Sequence, residues 1–390
     1  MGRISVRVTR RPWGTILILA PSNYPLFIPG VQIVQALAAG NAVLVKPAPG
    51  CTEILKRFAQ SLNSAGIPSA LLQIIDESIE AGQAAMQAGV DKVILTGSAA
   101  TGRAVLAQLS SSLTPATMEL SGCDAVFVLE NADLNRVARC LAFALQLNGG
   151  ATCIAPRRVF ATATQLSTLC ELLRNELQQY PSTEFQIPSA TKAKILSAAR
   201  AAINAGAQIV IGQVDDAQTV EAVSQRMKPL VLRDVDARQN IARDDFFGPV
   251  VSLIAVPDMK SAIAASRHSP FALGASVFGP TRFAEYWSSQ IHAGCIVIND
   301  IIVPTADPRV AFGGFNKSGW GVTRGWEGLL EMSRPQVTCT RLGNWLPHLD
   351  QRQAQNFELM SGLLRLLHGR GLRTKLSALR EITASFRGPT

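Results

Sequence analysis

The sequence lacks the cysteine spacing of a metal site or disulfide framework, and it is poor in charged residues. Its seven cysteines are an odd number, and no two of them form the CxxC pair typical of zinc sites and redox motifs. This pattern predicts no metal site and favours a reducing, cytoplasmic compartment. With 17% charged and 47% hydrophobic residues among 390, the chain is long and apolar enough for two or three compact domains.

Basic residues are in excess, but they form no long run. The net charge is +9, and eight basic residues against three acidic ones fall in residues 341–390. A nucleic-acid-binding surface needs a basic stripe with interleaved aromatic residues. No such stripe is visible, so nucleic acid is not a predicted partner.

Neither a signal peptide nor a membrane-spanning segment is predicted in the first 50 residues. The first eight alternate like a strand, so no secretory leader is expected. Residues 12–45 contain no charged residue, a pattern that a hydropathy window reads as membrane-spanning. Prolines at 21, 25 and 29 divide this run into short elements. The pattern therefore predicts a buried strand, a loop and a buried helix of a soluble α/β domain.

Short apolar runs alternate with helical segments in the first third of the chain. Strands are predicted over residues 15–20, 42–45, 72–75 and 92–95, and helices over 30–39, 51–65, 77–88 and 102–109. This alternation predicts a parallel sheet with helices on both faces, and such sheets bind ligands at the carboxyl ends of their strands.

Candidate ligand contacts follow three of these strands. Asn23 and Lys46 each come after a strand, and Gly97 and Ser98 precede a helix whose free N–H groups could hold a pyrophosphate. The spacing from Gly97 to Gly102 is GxxxxG and not the dinucleotide fingerprint GxGxxG. A plain tight turn therefore remains an alternative explanation of the motif.

Cys153 lies in a loop of small residues and is a candidate nucleophile. It follows Gly149 and Gly150 and precedes Pro156. Glycines let backbone and substrate approach closely, and the local N–H groups could face a developing oxyanion. A thiolate also needs access and a favourable field. The alternative is a buried structural thiol.

Glu119 is a candidate general base. It lies between Met118 and Leu120, near the end of a predicted apolar strand. A carboxyl group placed there is partly desolvated, which raises its pKa and suits it to accept a proton at neutral pH. The alternative is a carboxylate on an edge strand that faces water.

Seven motifs in order resemble those of the aldehyde dehydrogenase superfamily, and the resemblance covers residues 4–341. They are Pro12-Trp13-Gly14 with Pro21-Ser22-Asn23-Tyr24-Pro25; Gly40-Asn41-Ala42-Val43 with Lys46-Pro47; Thr96-Gly97-Ser98 with Gly102; Glu119-Leu120-Ser121-Gly122; Cys153 with Arg158-Val159; Phe247-Gly248-Pro249-Val250; and Ala311-Phe312-Gly313-Gly314-Phe315-Asn316-Lys317-Ser318-Gly319-Trp320-Gly321. The resemblance implies a Rossmann-type parallel-sheet cofactor domain and an α/β catalytic domain.

The resemblance also implies a reaction and assigns roles to residues. The reaction is the NAD(P)-dependent oxidation of a small-molecule aldehyde to a carboxylic acid through a cysteine thioester. Cys153 is then the nucleophile, Glu119 the base that activates water, and Asn23 a donor to the oxyanion.

Cofactor contacts follow from the same resemblance. They are Lys46, Gly97, Ser98, Asp245 and Phe247. Asp245 stands where the family has a glutamate that contacts the nicotinamide ribose, so its shorter side chain would loosen that contact.

The position three after Lys46 bears on the choice of cofactor. Many family members have a glutamate there that bonds the adenosine ribose, and this chain has Pro49. A carboxylate at that place would repel a 2′-phosphate. Its replacement predicts that NADP is accepted at least as well as NAD.

Several departures from the family keep other functions open. Ser22 replaces the usual tryptophan, and Ser121 and Cys123 replace a glycine and a lysine. The segment before the first motif is shorter than in the family, as in a divergent short form or a fragment from a late start codon. A catalytically silent relative kept for binding or assembly is favoured by this short segment and by Ser121, Cys123 and Asp245. It is disfavoured by Cys153, Glu119 and Asn23. A coenzyme A-acylating enzyme is a further alternative, although such relatives often lack the glutamate matching Glu119.

Four segments are predicted from the resemblance. They are a cofactor domain over residues 1–119, a catalytic domain over 120–325, a return with an oligomerisation strand over 326–341, and a basic helical extension over 342–390. The strand over 336–340 predicts a homo-dimer or tetramer. The amphipathic helix over 351–367 is expected to pack on protein, which disfavours a membrane surface as its partner.

Overall fold

The computed structural model describes residues 3–180, 184–214, 225–344, 346, 349 and 354–385. The strands in this part of the chain are β1 (Arg3–Pro12), β2 (Thr15–Leu19), β3 (Ala42–Lys46), β4 (Leu72–Ile74), β5 (Lys92–Thr96), β6 (Ala116–Glu119), β7 (Asp124–Val128), β8 (Pro156–Ala161), β9 (Phe185–Gln186), β10 (Gln208–Ile211), β11 (Arg226–Met227), β12 (Leu230–Arg233), β13 (Val250–Ala255), β14 (Phe271–Ala272), β15 (Gly274–Phe278), β16 (Cys295–Ile298), β17 (Phe315–Asn316), β18 (Gly319–Trp320) and β19 (Ser333–Leu342).

Helices connect most of these strands. They are α1 (Phe27–Ala38), α2 (Thr52–Ser64), α3 (Ile79–Gln87), α4 (Ala99–Leu109), α5 (Leu134–Gln146), α6 (Ala163–Gln178), α7 (Ser189–Asn204), α8 (Met259–Ser266), α9 (Thr281–Ser288), α10 (Gly325–Glu331), α11 (Ala354–His368) and α12 (Leu372–Ser385). Within the described residues, no helix is long and apolar enough to cross a membrane. The uncharged run over 12–45 forms β2, α1 and β3, as predicted.

The chain forms two compact units. One consists of Arg10–Arg334, and the other joins Met1–Thr9 to Pro335–Thr390. Most of β1 and most of β19 lie in the second unit, and the two strands form a two-stranded ribbon. This ribbon contains the strands predicted over 4–8 and 336–340. Helices α11 and α12 pack closely where Gly362 faces Ile382. The predicted amphipathic helix corresponds to α11, and its residues 351–353 lie outside the described part of the chain.

A six-stranded sheet has the order β18-β6-β5-β2-β3-β4. Its strands are parallel except for β18, which runs antiparallel to β6. Ile16 and Ile18 pack with Leu55 of α2 on one face, whereas Leu17 and Leu19 pack against α3 and α4 on the other. Because both faces are covered, the strands are continuous apolar runs. The predicted parallel sheet is confirmed.

A seven-stranded sheet has the order β10-β12-β13-β8-β7-β15-β16. All its neighbours are parallel except β10 and β12. Val126 and Val159 pack against α5 and α6 on one face. On the other face the rings of Phe127 and Phe160 stack with centroids 5.5 Å apart. This sheet supports the loop of Cys153, which lies between α5 and β8.

The carboxyl ends of the six-stranded sheet gather the polar side chains singled out in the sequence. Lys46, Thr96 and Glu119 are the last residues of β3, β5 and β6. These strands are parallel, so their ends lie on the same edge of the sheet. The chain returns to this sheet at β18. The division into cofactor and catalytic domains at residue 119 remains a prediction.

Candidate active site

Three consecutive residues with left-handed backbone conformation present Cys153. They are Asn148, Gly149 and Gly150, with φ angles of 50°, 57° and 72°. A Cβ atom at Gly150 would lie 2.4 Å from the carbonyl oxygen of Gly248, so only glycine fits there. The buried Arg157 donates from Nη2 to the Gly150 carbonyl at 2.6 Å. Conformation and side-chain support therefore fix the loop that carries the thiol.

Glu119 is buried at the end of β6, with 4% of its surface exposed. Strand β6 lies between β18 and β5, which excludes the alternative of an edge carboxylate facing water. The Thr323 hydroxyl donates to Oε2 of Glu119 at 3.1 Å, and the Thr96 side chain is also hydrogen-bonded to the carboxylate. Gln32 in turn donates to Oγ1 of Thr96 at 3.2 Å.

Burial disfavours the ionised forms of both Glu119 and Cys153. It raises the pKa of Glu119, while Arg324 and the hydrogen bonds from Thr323 and Thr96 lower it. Burial also raises the pKa of Cys153 well above its usual value, with smaller contributions from nearby carboxylates including Glu119. The resting thiol is therefore neutral, and the favourable field expected for a nucleophile is largely missing in the protein alone. A base must take the proton before the sulfur can attack.

Two cavities meet at Cys153 and Glu119, which line both. The first has a volume of about 370 Å³ and extends to Gly97 and Ser98. It is also lined by the remaining predicted site residues except Lys46, namely Asn23, Asp245 and Phe247. The second has a volume of about 300 Å³, and its lining is mainly apolar, with Phe27, Phe143, Leu147, Ile302 and Phe312.

Asn23 lies beside the Cys153 loop. Its side-chain Nδ2 donates to the backbone carbonyl of Ala151 at 3.1 Å. The backbone carbonyl of Asn23 accepts from Nδ2 of Asn148 at 3.0 Å. A side-chain amide carries two N–H groups, so one donor remains beyond the bond to Ala151. This geometry is compatible with the predicted oxyanion contact.

Gly97 and Ser98 lie between β5 and α4, as predicted. The Ser98 hydroxyl accepts from the N–H of Thr101 at 3.0 Å and caps the helix. The N–H of Gly97 donates to the Glu119 carbonyl at 3.0 Å, so it holds the two strands together. Ser98 therefore brings a helix N-terminus to the first cavity.

Lys46 lies apart from the cavity at Cys153, next to two carboxylates that the sequence does not single out. Burial lowers the pKa of Lys46, and Glu77 and Asp76 raise it. Glu77 accepts at Oε2 from the Thr52 hydroxyl at 2.6 Å and from the Gly50 N–H at 3.1 Å. Glu77 thus places a carboxylate beside the loop of Pro49. This negative charge weakens the reason for expecting that NADP is accepted as well as NAD.

Asp245 has an unsatisfied oxygen at the first cavity. Its Oδ1 is buried and has no hydrogen-bond partner among the described residues. Burial raises the pKa of Asp245 to about 6, against the lowering effect of Arg157 and a hydrogen bond to Ser121. Asp245 lines the first cavity, but this oxygen has almost no surface exposed there. The looser ribose contact predicted for its shorter side chain therefore stays a prediction.

Arg324 belongs to the site, although the sequence motifs end three residues before it. The centre of its guanidinium lies 4.3 Å from the ring centroid of Phe312, and Nη1 donates to the Thr305 carbonyl at 2.5 Å. Its φ of 64° and ψ of 172° fall in a region that is nearly restricted to glycine and costs about 1–3 kcal/mol. Arg324 lies in the mainly apolar lining of the second cavity. Sequence motifs do not reveal this position, because it depends on how the chain folds.

A model of the aldehyde dehydrogenase family matches residues 3–338. The chain belongs to this family. The resemblance seen in the motifs is thus confirmed, and aldehyde oxidation is the general activity of the enzyme.

Curated relatives support this assignment. The chain is 28% identical over 401 aligned residues to the 4,4′-diapolycopene aldehyde oxidase of Methylomonas sp, with 97% of this chain and 74% of the relative covered. It is 30% identical over 329 residues to the geranial dehydrogenase of Castellaniella defragrans, with 83% and 68% covered.

Solved structures of dehydrogenases share the fold. An aldehyde dehydrogenase of Mycobacterium tuberculosis complexed with NAD+ matches with a TM-score of 0.78 and 27% identity, covering 87% of this chain and 72% of that one. An NADP-dependent glyceraldehyde-3-phosphate dehydrogenase of Bacillus halodurans complexed with NADP matches with a TM-score of 0.77, 27% identity and the same coverage. The predicted fold is therefore confirmed.

Proposed function

We propose that this enzyme oxidises a long apolar aldehyde to its carboxylic acid, with NAD or NADP, through a thioester on Cys153. The observation that carries the proposal is the meeting of two cavities at Cys153 and Glu119. The first cavity, the more polar of the two, suits a cofactor, and the second suits the hydrocarbon part of a substrate. The aldehyde carbon would then lie between the cofactor, the nucleophile and the base.

The first cavity has two features that suit part of a dinucleotide. Ser98 places the N-terminus of α4 at its edge, where a pyrophosphate is favoured by free N–H groups and the helix dipole. Asp245 also lines this cavity, and we assign it the contact to the ribose. When bound, the nicotinamide accepts the hydride that leaves the aldehyde carbon.

The chain's own residues supply the remaining steps. Cys153 gives its proton to water, and the sulfur bonds to the aldehyde carbon. The remaining amide donor of Asn23 and the N–H of Cys153 stabilise the oxyanion. After hydride loss the carbon is held as a thioester. Glu119 then removes a proton from water, which attacks the thioester, releases the acid and restores the thiol.

The substrate class follows from the apolar cavity. Phe27, Phe143, Leu147, Ile302 and Phe312 offer hydrocarbon surface, and two relatives are named for geranial and for 4,4′-diapolycopene aldehyde. Each buried methylene group contributes about 0.8 kcal/mol, which is about a fourfold gain in affinity. We therefore expect kcat/KM to rise with chain length across n-alkanals until the cavity is filled.

A panel of aldehydes with either cofactor tests this proposal. Reduced cofactor is followed by absorbance, and the organic product is identified by mass spectrometry. Rising kcat/KM from propanal to decanal with free acid as product supports the proposal. Equal kcat/KM along the series rejects the apolar substrate. No oxidation of any aldehyde by folded protein supports a silent binding protein, and an acyl-coenzyme A product supports acyl transfer.

Location and assembly are parts of the same proposal. All seven cysteines are free thiols, as is usual in a reducing compartment, so we propose the cytoplasm. Ile4, Val6 and Val8 on β1 are 49%, 61% and 61% exposed, and an exposed apolar strand tends to pair with another chain. We propose a homo-dimer or tetramer, which sedimentation equilibrium would distinguish from a monomer.

A further inference from the structure

We propose that Arg157 is a positioning residue that directs the backbone N–H of Cys153 toward the oxyanion. The proposal rests on the function proposed above, in which this N–H stabilises the negative oxygen of the intermediate. The sequence motifs assign no role to Arg157, which lies four residues after the thiol.

Arg157 links the loop of Cys153 to a second segment of the chain. It is the second residue of β8, and its side chain is buried. Its Nη1 donates to the Gly248 carbonyl at 2.8 Å, and its Nη2 donates to the Gly150 carbonyl at 2.6 Å. Gly248 follows Phe247, which lines the first cavity. One guanidinium therefore holds the thiol loop against the wall of the proposed cofactor cavity.

The two segments approach each other closely at this arginine. A Cβ atom at Gly150 would lie 2.4 Å from the carbonyl oxygen of Gly248, so backbone meets backbone there. The carbonyls of both glycines accept hydrogen bonds from one guanidinium, each from a different nitrogen. A lysine carries its donors on a single atom, whereas the planar fork of arginine reaches separate acceptors in a fixed geometry. These contacts therefore suit an arginine better than a lysine.

The peptide group between Thr152 and Cys153 is oriented from its carbonyl side. This carbonyl accepts from the N–H of Ala155 at 3.0 Å, and Nη2 of Arg157 makes a longer contact with it at 3.5 Å. In a planar trans peptide the C=O and N–H bonds point in opposite directions. The N–H of Cys153 therefore points away from Arg157, and it donates to no other group in the described part of the chain. A fixed N–H beside the sulfur, without another acceptor, suits a developing oxyanion.

The carbonyl between these two anchors is also fixed. The Ala151 carbonyl accepts from Nδ2 of Asn23 at 3.1 Å and from Nδ2 of Asn148 at 3.3 Å. With the contacts of Arg157, side chains thus contact the carbonyls of three consecutive residues before Cys153. Both groups proposed to stabilise the oxyanion, the Asn23 amide and the Cys153 N–H, therefore belong to one cross-linked loop.

A competing role for Arg157 is general support of the fold, and the next residue provides a matched control for it. Arg158 is buried to the same extent. It donates to the Cys123 carbonyl from Nε at 3.0 Å and from Nη2 at 2.6 Å, and to the Ser266 carbonyl from Nη1 at 2.7 Å. These acceptors lie outside the loop of Cys153. Replacement of Arg158 therefore removes a buried guanidinium from the same strand without releasing that loop.

The test compares two reactions of the Cys153 sulfur that need neither aldehyde nor cofactor. p-Nitrophenyl acetate transfers its acetyl group to the sulfur: the S–C bond forms, the bond to p-nitrophenolate breaks, and the thiol proton goes to water. This reaction passes through a tetrahedral oxyanion. Iodoacetamide alkylates the same sulfur with loss of iodide, and no oxyanion forms. Mass spectrometry of the peptide that contains Cys153 gives the rate constant of each modification.

The ratio of the acetylation rate constant to the alkylation rate constant isolates the effect on the oxyanion, because a change in thiol ionisation affects both reactions. Removal of one oxyanion donor lowers enzyme rates by about 10²–10³, and a donor that is only misdirected should cost less. We expect the ratio to fall about tenfold in Arg157→Met and by a smaller factor in Arg157→Lys. It should stay within about twofold of wild type in Arg158→Met and Arg158→Lys, which leave the loop contacts in place.

An unchanged ratio in Arg157→Met, or an equal fall in the methionine variants of both arginines, would overturn the proposal. Measurement of Tm shows whether each variant is folded. If a methionine variant does not fold, the comparison of Arg157→Lys with Arg158→Lys decides by the same criterion. If the wild-type protein oxidises no aldehyde, the proposed function fails, whereas the ratio still decides the role of Arg157.

Discussion

Oγ1 of Thr323 lies 3.1 Å from Oε2 of Glu119, across 204 positions of sequence. The short strand β18 brings these residues together, because it pairs with β6 so that Gly319 lies opposite Glu119. The Glu119 carboxylate is thus hydrogen-bonded by two distant segments of the chain, through Thr96 and Thr323.

Loss of the Thr323 hydroxyl should shift the pH dependence of the reaction. This hydrogen bond lowers the pKa of Glu119, so Thr323→Val should raise that pKa. A bond to a charged group contributes about 1.5–3 kcal/mol, and we expect the acidic limb of kcat/KM to rise by about one pH unit. Thr323→Ser keeps a donor and serves as the control. Identical pH profiles for the valine and serine variants would contradict the argument.

Replacement of Glu119 by glutamine should separate the two halves of the reaction. The neutral amide cannot accept a proton from water, so hydrolysis of the thioester should slow by about a hundredfold or more. Stopped-flow absorbance should show a first burst of reduced cofactor followed by slow turnover. We expect the burst amplitude to equal the enzyme concentration, because each thioester forms with one molecule of reduced cofactor. Steady turnover equal to that of wild type would remove Glu119 from the mechanism.

Glu77 should bias the enzyme toward NAD. Its carboxylate is fixed by Thr52 and Gly50 beside Lys46, and a negative charge there repels a 2′-phosphate. We expect Glu77→Gln to raise the ratio of kcat/KM with NADP to that with NAD by about tenfold. The exposed Glu53, paired with Arg57 on α2, provides the control Glu53→Gln. An unchanged ratio in Glu77→Gln would restore the inference from Pro49 that NADP is accepted at least as well.

Asp124 should make the protein less stable as the pH rises. Burial raises its pKa to about 7, although the Gly274 N–H donates to it at 3.1 Å. An unfolded aspartate ionises near pH 4, so the folded state holds its proton more tightly between about pH 4 and 7, and stability falls across that window. Asp124→Asn keeps the acceptor and removes the charge. Its Tm should exceed that of wild type at pH 8 and match it near pH 4; equal differences at both values would refute this.

Apolar runs and turn residues in the sequence predict much of the fold. The apolar run over 15–20 contains β2, and it is apolar throughout because helices cover both faces of its sheet. The predicted alternation of strands with helices is seen as α1, α2 and α3. Cys153, Glu119, Asn23 and Ser98 are predicted from their motifs because each lies at a strand end or in a glycine-rich loop.

The remaining parts of the site depend on long-range contacts. Thr323 reaches Glu119 only because β18 turns back onto β6, and no local pattern encodes that return. Glu77 lies in the turn after β4, where it accepts a hydrogen bond from Gly50 in the loop of Pro49. The sequence predicts only part of the left-handed segment before Cys153. Gly149 and Gly150 favour that conformation, whereas Asn148 adopts it less readily. Local sequence therefore predicts the elements but not the contacts that tune them.

The most direct test of the account is to trap the covalent intermediate. Glu119→Gln is mixed with NAD or NADP and decanal, quenched in acid, and examined as intact protein and as peptides by mass spectrometry. We predict that the mass increases by one decanoyl group, carried by the peptide that contains Cys153, and that Glu119→Gln combined with Cys153→Ala shows no adduct. An unmodified Cys153 after cofactor has been reduced, or an acyl group on another cysteine, would contradict the assignment of the nucleophile.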